Sequence, residues 1–414
     1  MSNQILFLPC AAGVEAWLAD EVQRIIERGV GADQARVHGQ RGGVAVEVSF
    51  DAALDLTMQL NLESRLAQRV LWEMAYGPYR DEHDLYDLAR QARWSDWVTP
   101  RETLRVDVTS QRSPLKSLNF AALRVKDAVC DAMRDDFGER PSVDTHRPDL
   151  PLVLHLAPEY ATLYADTSGE ALFKRGWRED KGEAPLKETL AAAMLAAAGW
   201  HGRPEDGALL DPCCGAGTIA IEAAQVACDI APGLQRRFAF ERWLPFRDER
   251  STWYALKDAA RARVRAAEVP IYAGDVAFRL TDFATRNAER AGVLRAIDLK
   301  TADALQRMPP CEHGTLMLNP PYGERIGPKG TQSSRDEAPQ DFFQRLSAHW
   351  KRHYAGWTAW VLSPDLKLPT AMRLKESRRI PMWNGPIECR FFRFDLVSGS
   401  MRSDAAEAPE PEQG

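Results

Sequence analysis

The chain has 414 residues, of which 45% are apolar and 27% charged. This is ordinary soluble composition, enough for two to four domains at about 100–200 residues each, and it excludes a fibrous or wholly disordered chain. With 53 Lys and Arg against 59 Asp and Glu the formal net charge is −6, so nucleic-acid binding rests on local patches rather than a basic coat. No run of about 18 or more apolar residues marks a membrane span, and no Lys or Arg precedes the apolar stretch within Met1–Gly13, which argues against a secretory signal. Cys10, Cys130, Cys213, Cys214, Cys228, Cys311 and Cys389 are scattered and form no Cys-x-x-Cys. That usage predicts a reduced, cytoplasmic protein with no disulfide framework and no metal site.

In chain order, Ile5–Leu8 reads as a strand. Val14, Trp17, Leu18, Val22, Ile25 and Ile26 recur at helical spacing, and Val44, Val46, Val48 and Phe50 alternate as in a half-buried strand. Leu104, Val106 and Val108 alternate next, 120–133 is helical, and Leu152–Leu156 and Thr162–Asp166 are two further strands. Helices among short strands, taken as antiparallel, predict an α+β module. Residues 167–185 form a polar link. Beyond it a helix (Leu186–Ala198) leads into apolar segments that end in small, acidic or amide residues: Ala208–Asp211, Ile271–Asp275, 296–299, Thr315–Asn319 and Trp357–Leu362. Helical stretches at 216–227 and 281–291 separate them. The alternation predicts a parallel, doubly wound sheet, whose ligands bind beyond the carboxyl ends of the strands. Residues 403–414 are acidic and Pro/Ala-rich, the composition of a disordered tail.

Two motifs carry the chemistry. Asp211-Pro-Cys-Cys-Gly-Ala-Gly-Thr218 is a strand end, a Gly-rich turn and a helix start. Gly215 and Gly217 let backbone approach a ligand and offer amides at a helix N-terminus. With Ala220 the spacing also fits a dinucleotide fingerprint, but Asp211 stands where a pyrophosphate would lie. A carboxylate there suits a cation, such as the ammonium of S-adenosylmethionine. Asp275 ends the next strand and can accept from ribose hydroxyls or cap the following helix. Asp303 can hold an adenine amine or be an ordinary surface acid.

The second motif, Asn319-Pro-Pro-Tyr322, follows an apolar strand. Two prolines fix φ and remove two donors, leaving rigid carbonyl acceptors. The Asn319 oxygen and the Pro320 carbonyl can both accept from an exocyclic NH2, and the Tyr322 ring can stack on its base. Such an amine is a poor nucleophile because its lone pair is conjugated. Two fixed acceptors favour a pyramidal nitrogen aimed at a sulfonium methyl, which is catalysis by positioning, without a covalent intermediate.

With these motifs the sequence resembles class I adenosylmethionine-dependent amino-methyltransferases. Phe173-Lys-Arg-Gly-Trp-Arg178, Ala184-Pro-Leu-Lys-Glu-Thr-Leu-Ala191, Leu123–Val129, Val143–Asp149, Cys228–Gly233 and Asn384–Cys389 are similar to segments of THUMP-domain RNA guanine-N2 methyltransferases, in particular the N-terminal half of the RlmL-type 23S rRNA enzymes. The resemblance implies an α/β architecture, with a Rossmann-like class I methyltransferase domain preceded by an α+β ferredoxin-like/THUMP RNA-binding module. The expected divisions are 1–60 (ferredoxin-like part), 61–166 (THUMP), 167–185 (linker), 186–400 (methyltransferase) and 401–414 (tail). By position, Asp211, Cys213, Gly215, Gly217 and Thr218 would contact the methionine moiety of S-adenosyl-L-methionine, Asp275 the ribose and Asp303 the adenine. Asn319, Pro320, Pro321 and Tyr322 would hold the target guanine. One departure is Ala277, where relatives carry an acid or polar residue. Some relatives continue into a second methyltransferase domain, and the expectation here is a single activity.

The implied partner is RNA, 23S rRNA or a large-subunit precursor, with neither membrane nor DNA. The rivals are a tRNA guanine-N2 methyltransferase, a DNA or protein amino-methyltransferase, and a non-catalytic RNA-binding assembly factor. A nicotinamide dehydrogenase leaves Asn319–Tyr322 unexplained. Lys174, Arg175, Arg178 and Lys181 around Trp177 can track an RNA backbone or simply face water. Lys116, Arg124 and Lys126 are candidate phosphate contacts. His349 and His353, at i and i+4, lack the Glu of a zincin motif. The polar stretch 327–339 is a loop or a lid.

Overall fold

The computed structural model describes residues 3–31, 34–182, 186–320 and 339–397. Pro321, Tyr322, the 327–338 stretch and the acidic tail lie outside the described residues.

The N-terminal portion runs β1 (Asn3–Pro9), α1 (Glu15–Arg28), β2 (Ala35–Gln40), β3 (Gly43–Ser49), α2 (Phe50–Glu63), β4 (Leu71–Pro78), α3 (Glu82–Arg90), β5 (Leu104–Ser110), α4 (Leu118–Phe137), β6 (Leu150–Leu156) and β7 (Tyr160–Asp166). Its strands form one sheet in the order β2-β3-β1-β4-β7-β6-β5. Strand β4 pairs with β1 on one side and β7 on the other, so the sheet continues without a break from the first strand to the last. The inward residues of β1 and β3, Leu6, Leu8, Val44, Val46 and Val48, are buried under α1, whose Leu18, Val22, Ile25 and Ile26 face them. The antiparallel expectation fails at one pair, because β5 runs parallel to β6. A parallel pair needs a long crossover, and the 20-residue α4 supplies it. That helix starts on the Ser117 hydroxyl, which accepts from Phe120 N, and stops at Gly138 with φ +74°.

The C-terminal portion runs α5 (Glu188–Ala198), β8 (Ala208–Asp211), α6 (Thr218–Ala227), α7 (Leu244–Arg247), α8 (Arg250–Ala262), β9 (Ile271–Asp275), α9 (Phe278–Arg290), β10 (Ile297–Thr301), β11 (Gly314–Leu318), α10 (Pro339–His353), β12 (Thr358–Ser363), α11 (Leu368–Met372), β13 (Arg378–Asn384) and β14 (Ile387–Asp395). The strand order is β10-β9-β8-β11-β12-β14-β13. From β10 to β12 all pairs are parallel, and β14 enters antiparallel. This is the expected doubly wound, Rossmann-like sheet. Helices α5 and α6 are buried almost all round, as expected of Ala-rich helices sandwiched between a sheet and neighbouring elements. The chain leaves β8 for β9 on one side and returns to β11 on the other, and the carboxyl ends of β8 and β11 flank the crevice where such sheets bind ligands.

Candidate active site at the carboxyl edge of the second sheet

Four of the sequence-selected residues stand along this edge. Asp211 ends β8, with its residue pair on β9 at Ala273. Asp275 ends β9 opposite Thr301 of β10, and Asp303 follows two residues later. Leu210 pairs with Leu316 of β11, so Asn319 emerges at the same edge, just after Leu318.

The turn between β8 and α6 is held from below by backbone and carboxylates. Cys214 N donates to the Gly274 carbonyl at 2.8 Å, and Gly217 N to the Cys214 carbonyl at 2.8 Å. Asp211 Oδ1 accepts from Cys213 N at 3.2 Å. Asp275 reaches across with Oδ2 accepting from Gly215 N at 3.0 Å, while its Oδ1 accepts from Ala277 N at 3.0 Å. Asp275 therefore fixes the glycine turn and the start of α9 together. Gly215 and Gly217 have φ +53° and +89°, in the left-handed region that glycine adopts without strain. A Cβ on Gly215 would meet nothing within 4 Å, whereas one on Gly217 would lie 3.0 Å from Ala284 Cβ. Gly215 thus borders open space and Gly217 is packed against α9. Asp303 is half-buried and its Oδ1 accepts from Leu305 N at 2.9 Å.

The electrostatics single out Asp211. It is 1% exposed, and burial pushes its carboxyl well above the usual range, with the neighbouring Asp275 charge adding to the effect. Burial raises Asp275 as well. Among the described residues neither acid has a Lys or Arg ion-pair partner. A buried carboxylate without a cation is expensive, so Asp211, with the half-buried Asp275 beside it, favours a positively charged ligand. The Cys213 and Cys214 thiols are pushed well above their ordinary value by burial and by these acids, which keeps them protonated and unsuited to nucleophilic work.

At Asn319 the side-chain Oδ1 is buried and has no hydrogen-bond partner among the described residues. Pro320 beside it is buried and has no N–H. A buried acceptor left unpaired costs about 1–3 kcal/mol, and an incoming N–H donor would relieve that cost.

Several partners of the turn carry no local sequence signal. Asn287 Nδ2 of α9 donates to the carbonyls of Ala216 (3.1 Å) and Asp180 (3.0 Å). Arg307 Nη1 donates to the Ala273 carbonyl at 3.4 Å. Their sequence distances are too long for a motif to reveal. The basic cluster before α5 divides: Lys174 and Lys181 are exposed, whereas Arg175 and Arg178 are drawn inward. Arg175 is 2% and Trp177 1% exposed. Arg175 pairs with Glu222 at 3.2 Å and Arg178 with Glu188 at 2.7 Å, so these charges are consumed inside the protein. Arg124 lies over the Tyr86 ring and Lys126 pairs with Asp127, while Lys116 is exposed. His349 Nε2 is within 2.7 Å of the Arg307 carbonyl, a structural contact. A separate open cleft of about 630 Å³ is lined by Glu102, Asp149, Glu241, Arg242, Arg247 and Arg250, and its charges pair among themselves, Arg242 with Asp149 and Arg247 with Glu102.

Comparison with known proteins identifies the family and the fold. The RMKL-like methyltransferase domain family matches residues 175–393. The chain belongs to this methyltransferase family. A THUMP domain matches 79–166 and the RlmL ferredoxin-like domain matches 5–71. The chain is 40% identical over 368 residues to the ribosomal RNA large subunit methyltransferase K/L of Shewanella sp. strain MR-4, covering 88% of this chain and 50% of that protein. The Shewanella baltica OS185 protein of the same name is 39% identical over the same shares. The chain spans about half the length of the curated relatives it matches. Among solved structures, a methyltransferase complexed with SAH, SMU.472, superposes with a TM-score of 0.81 at 25% identity, over 95% of this chain and 98% of that one. A Listeria monocytogenes protein described as an N6-adenine-specific DNA methylase superposes equally well, with TM-score 0.81 at 26% identity over 95% and 96%.

Proposed function

We propose that this protein is a cytoplasmic enzyme that transfers a methyl group from S-adenosyl-L-methionine to the exocyclic N2 of a guanine in 23S rRNA. The observation that carries the reading is the buried Oδ1 of Asn319, unpartnered among the described residues, at the sheet edge that also bears the glycine turn. The residues present fit the donor. Asp211 is buried and Asp275 half-buried, neither with a basic partner among the described residues, and Gly215 borders open space. Asp211 would take the ammonium, Asp275 the ribose hydroxyls, Asp303 the adenine amine, and Cys213, Gly217 and Thr218 would line the methionine moiety. When bound, the donor supplies an electrophilic methyl on a sulfonium.

The chain's own work is to hold the amine. Asn319 Oδ1 and the Pro320 carbonyl accept its two hydrogens, which orients the nitrogen lone pair and removes the need for a covalent intermediate. Pro321 and Tyr322 complete the motif, with the tyrosine ring stacking on the base. The guanine must leave its stack to arrive there, at a cost of a few kcal/mol. An RNA-capture module on the same chain offsets that cost by raising the local concentration of RNA. The THUMP match, together with relatives named for ribosomal RNA, supports RNA over the DNA substrate named for the Listeria protein.

The test is incubation with tritiated S-adenosylmethionine and three substrates lacking this mark: protein-free 23S rRNA, large ribosomal subunits and bulk tRNA. N2-methylguanosine in 23S rRNA is the expected product. Label in tRNA alone, or as N6-methyladenosine, would overturn the substrate.

A further inference from the structure

One face of the first sheet carries an exposed aromatic pair. Residues in register across a sheet share a face, and Gly77 of β4 marks the covered one, since a Cβ there would lie 3.2 Å from Leu88 of α3. Its neighbours Tyr76 and Pro78 therefore point the other way, and so do their partners on β7, Thr162 and Tyr160. From Thr162 the row continues through His155 of β6 and Thr109 of β5. The Tyr76 and Tyr160 rings are parallel to within 5°, with centroids 5.3 Å apart. They are 56% and 43% exposed.

Cations rim the same end of the sheet. Tyr79 Oη lies 2.7 Å from both Ser113 Oγ and the Ala157 carbonyl, and Gln111 N donates to the Leu156 carbonyl at 2.8 Å. The segment after β5 is thereby held against the end of β4 and the turn between β6 and β7. It carries Arg112 and Lys116, both exposed and without an ion-pair partner among the described residues. Arg80, exposed just past β4, reaches Asp84 at 3.4 Å. Two nearby acids are turned onto backbone amides, Asp81 onto His83 N and Asp84 N, and Asp84 onto Arg80 N. That leaves Glu159, exposed in the turn before Tyr160, against three cations.

A cross-strand tyrosine pair supports a sheet by itself, but that role needs neither bare rings nor cations around them. Aromatic faces beside unpaired cations are the two parts of a site for single-stranded nucleic acid, because every base has a π-face and each is flanked by anionic phosphates. In a duplex those faces are already stacked on one another.

We infer that Tyr76 and Tyr160 form a stacking platform for an unpaired base of the RNA substrate, with Arg80, Arg112 and Lys116 along its backbone. The inference takes the class of partner from the reading above and adds where, and in which form, the RNA is gripped. The target guanine goes to Asn319, beyond β11 of the second sheet, so the base held here is a different one. Tyr76 itself falls between the segments 5–71 and 79–166 that match the two N-terminal families.

The experiment is binding, without methyl donor, of an unstructured RNA of about ten nucleotides, within the usual site size, and of the blunt duplex it forms with its complement. The proteins are the full-length wild type, Tyr76→Leu, Tyr160→Leu, Tyr160→Phe and Arg112→Gln with Lys116→Gln. Each leucine variant is expected to bind the single strand about 5- to 100-fold more weakly, the range for one stacked base, with the salt dependence unchanged. Tyr160→Phe should bind as the wild type does. The double variant should lose about 0.7 in the slope of log affinity against log salt for each phosphate contact removed. Cross-linking of 5-iodouridine in the same RNA to the wild type, followed by peptide mapping, decides the matter if a leucine variant fails to fold. The label is expected on the peptide bearing Tyr76 or Tyr160. Unchanged affinity in the leucine variants, equal losses for strand and duplex, or cross-links only elsewhere would overturn the platform. If 23S rRNA still gains N2-methylguanosine in that case, the functional reading stands without it. Tyrosine-dependent binding with no methylguanosine formed would overturn the reading and leave the platform in place.

Discussion

Asn319 has an acceptor that the described residues leave unpaired, so its removal should cost little stability and much rate. Asn319→Ala is expected to lower the transfer rate about 100-fold or more, the scale on which misplacement of a reacting group is felt, with cofactor affinity unchanged by calorimetry. Normal turnover would sink the assignment. Asp211 makes a prediction of a different kind. Burial raises its carboxyl well above the ordinary value in the free protein, and a bound ammonium would lower it again. Binding therefore releases a proton. Affinity is full above the free-state value and falls as pH drops through it, by up to about tenfold per unit. Asp211→Asn should flatten that slope and weaken binding at neutral pH. An unaltered slope in the variant would move the titration elsewhere, with Asp275, also raised, the first suspect. These acids are legible in the sequence because each is a lone charge ending an apolar run. Arg178, Asn287 and Glu222 are not, because each acts through a partner 40 or more residues away.

The glycine turn separates two roles that the sequence presents as one motif. Both glycines have positive φ, so alanine at either carries a strain of about 1–2 kcal/mol. At Gly217 the new Cβ also lies 3.0 Å from Ala284 of α9, whereas at Gly215 it points into open space. Gly217→Ala is therefore expected to lower the melting temperature more than Gly215→Ala. Gly215→Ala should fold and lose cofactor affinity, because the added methyl occupies the approach to the turn. A reversed order of melting temperatures would show that the packing of α9 on the turn has been misjudged. The central strands of the second sheet, β8, β11 and β12, are readable because they are buried on both faces, as continuous apolar runs. The elements that escape sequence reading have local causes. Strand β2 is an edge with only its first residue buried. Strand β4 carries a bulge between Glu73 and Ala75, which breaks the alternation. Asn384–Cys389 holds a short hairpin turn: Asn384 pairs with Ile387, and Gly385, at φ +63°, turns the chain between β13 and β14.

At the scale of the molecule, sequence texture separates an α+β half from an α/β half, while the structure joins them through a buried polar knot. Glu222 of α6 is fully buried and lies between two arginines from different parts of the chain, Arg65 just after α2 and Arg175 just after the first sheet. Arg175 also donates to the Arg65 carbonyl at 2.7 Å and to Leu172 O at 2.9 Å, and Arg65 donates to the carbonyls of Gln225 and Ile230. On the far side Glu21 of α1 accepts from Ser64 Oγ and from Arg65 N. One continuous apolar core, from Leu6 of β1 to Phe391 of β14, surrounds these contacts. The helix that follows the glycine turn is thus bolted to the N-terminal half. Glu222→Ala would leave two guanidiniums facing each other in a buried site, and burial already pushes the Arg65 group down from its usual value. Removing one partner of a buried ion pair costs about 3–5 kcal/mol, so the variant should melt well below the wild type. The wild type, with a shared core and a shared knot, should unfold in one transition seen alike by far-ultraviolet dichroism and by cofactor-site fluorescence. In Glu222→Ala the two probes should separate, with the N-terminal and C-terminal halves parting first. If the two probes stay coincident in the variant, the apolar core alone makes the halves a single cooperative unit and the knot contributes only stability.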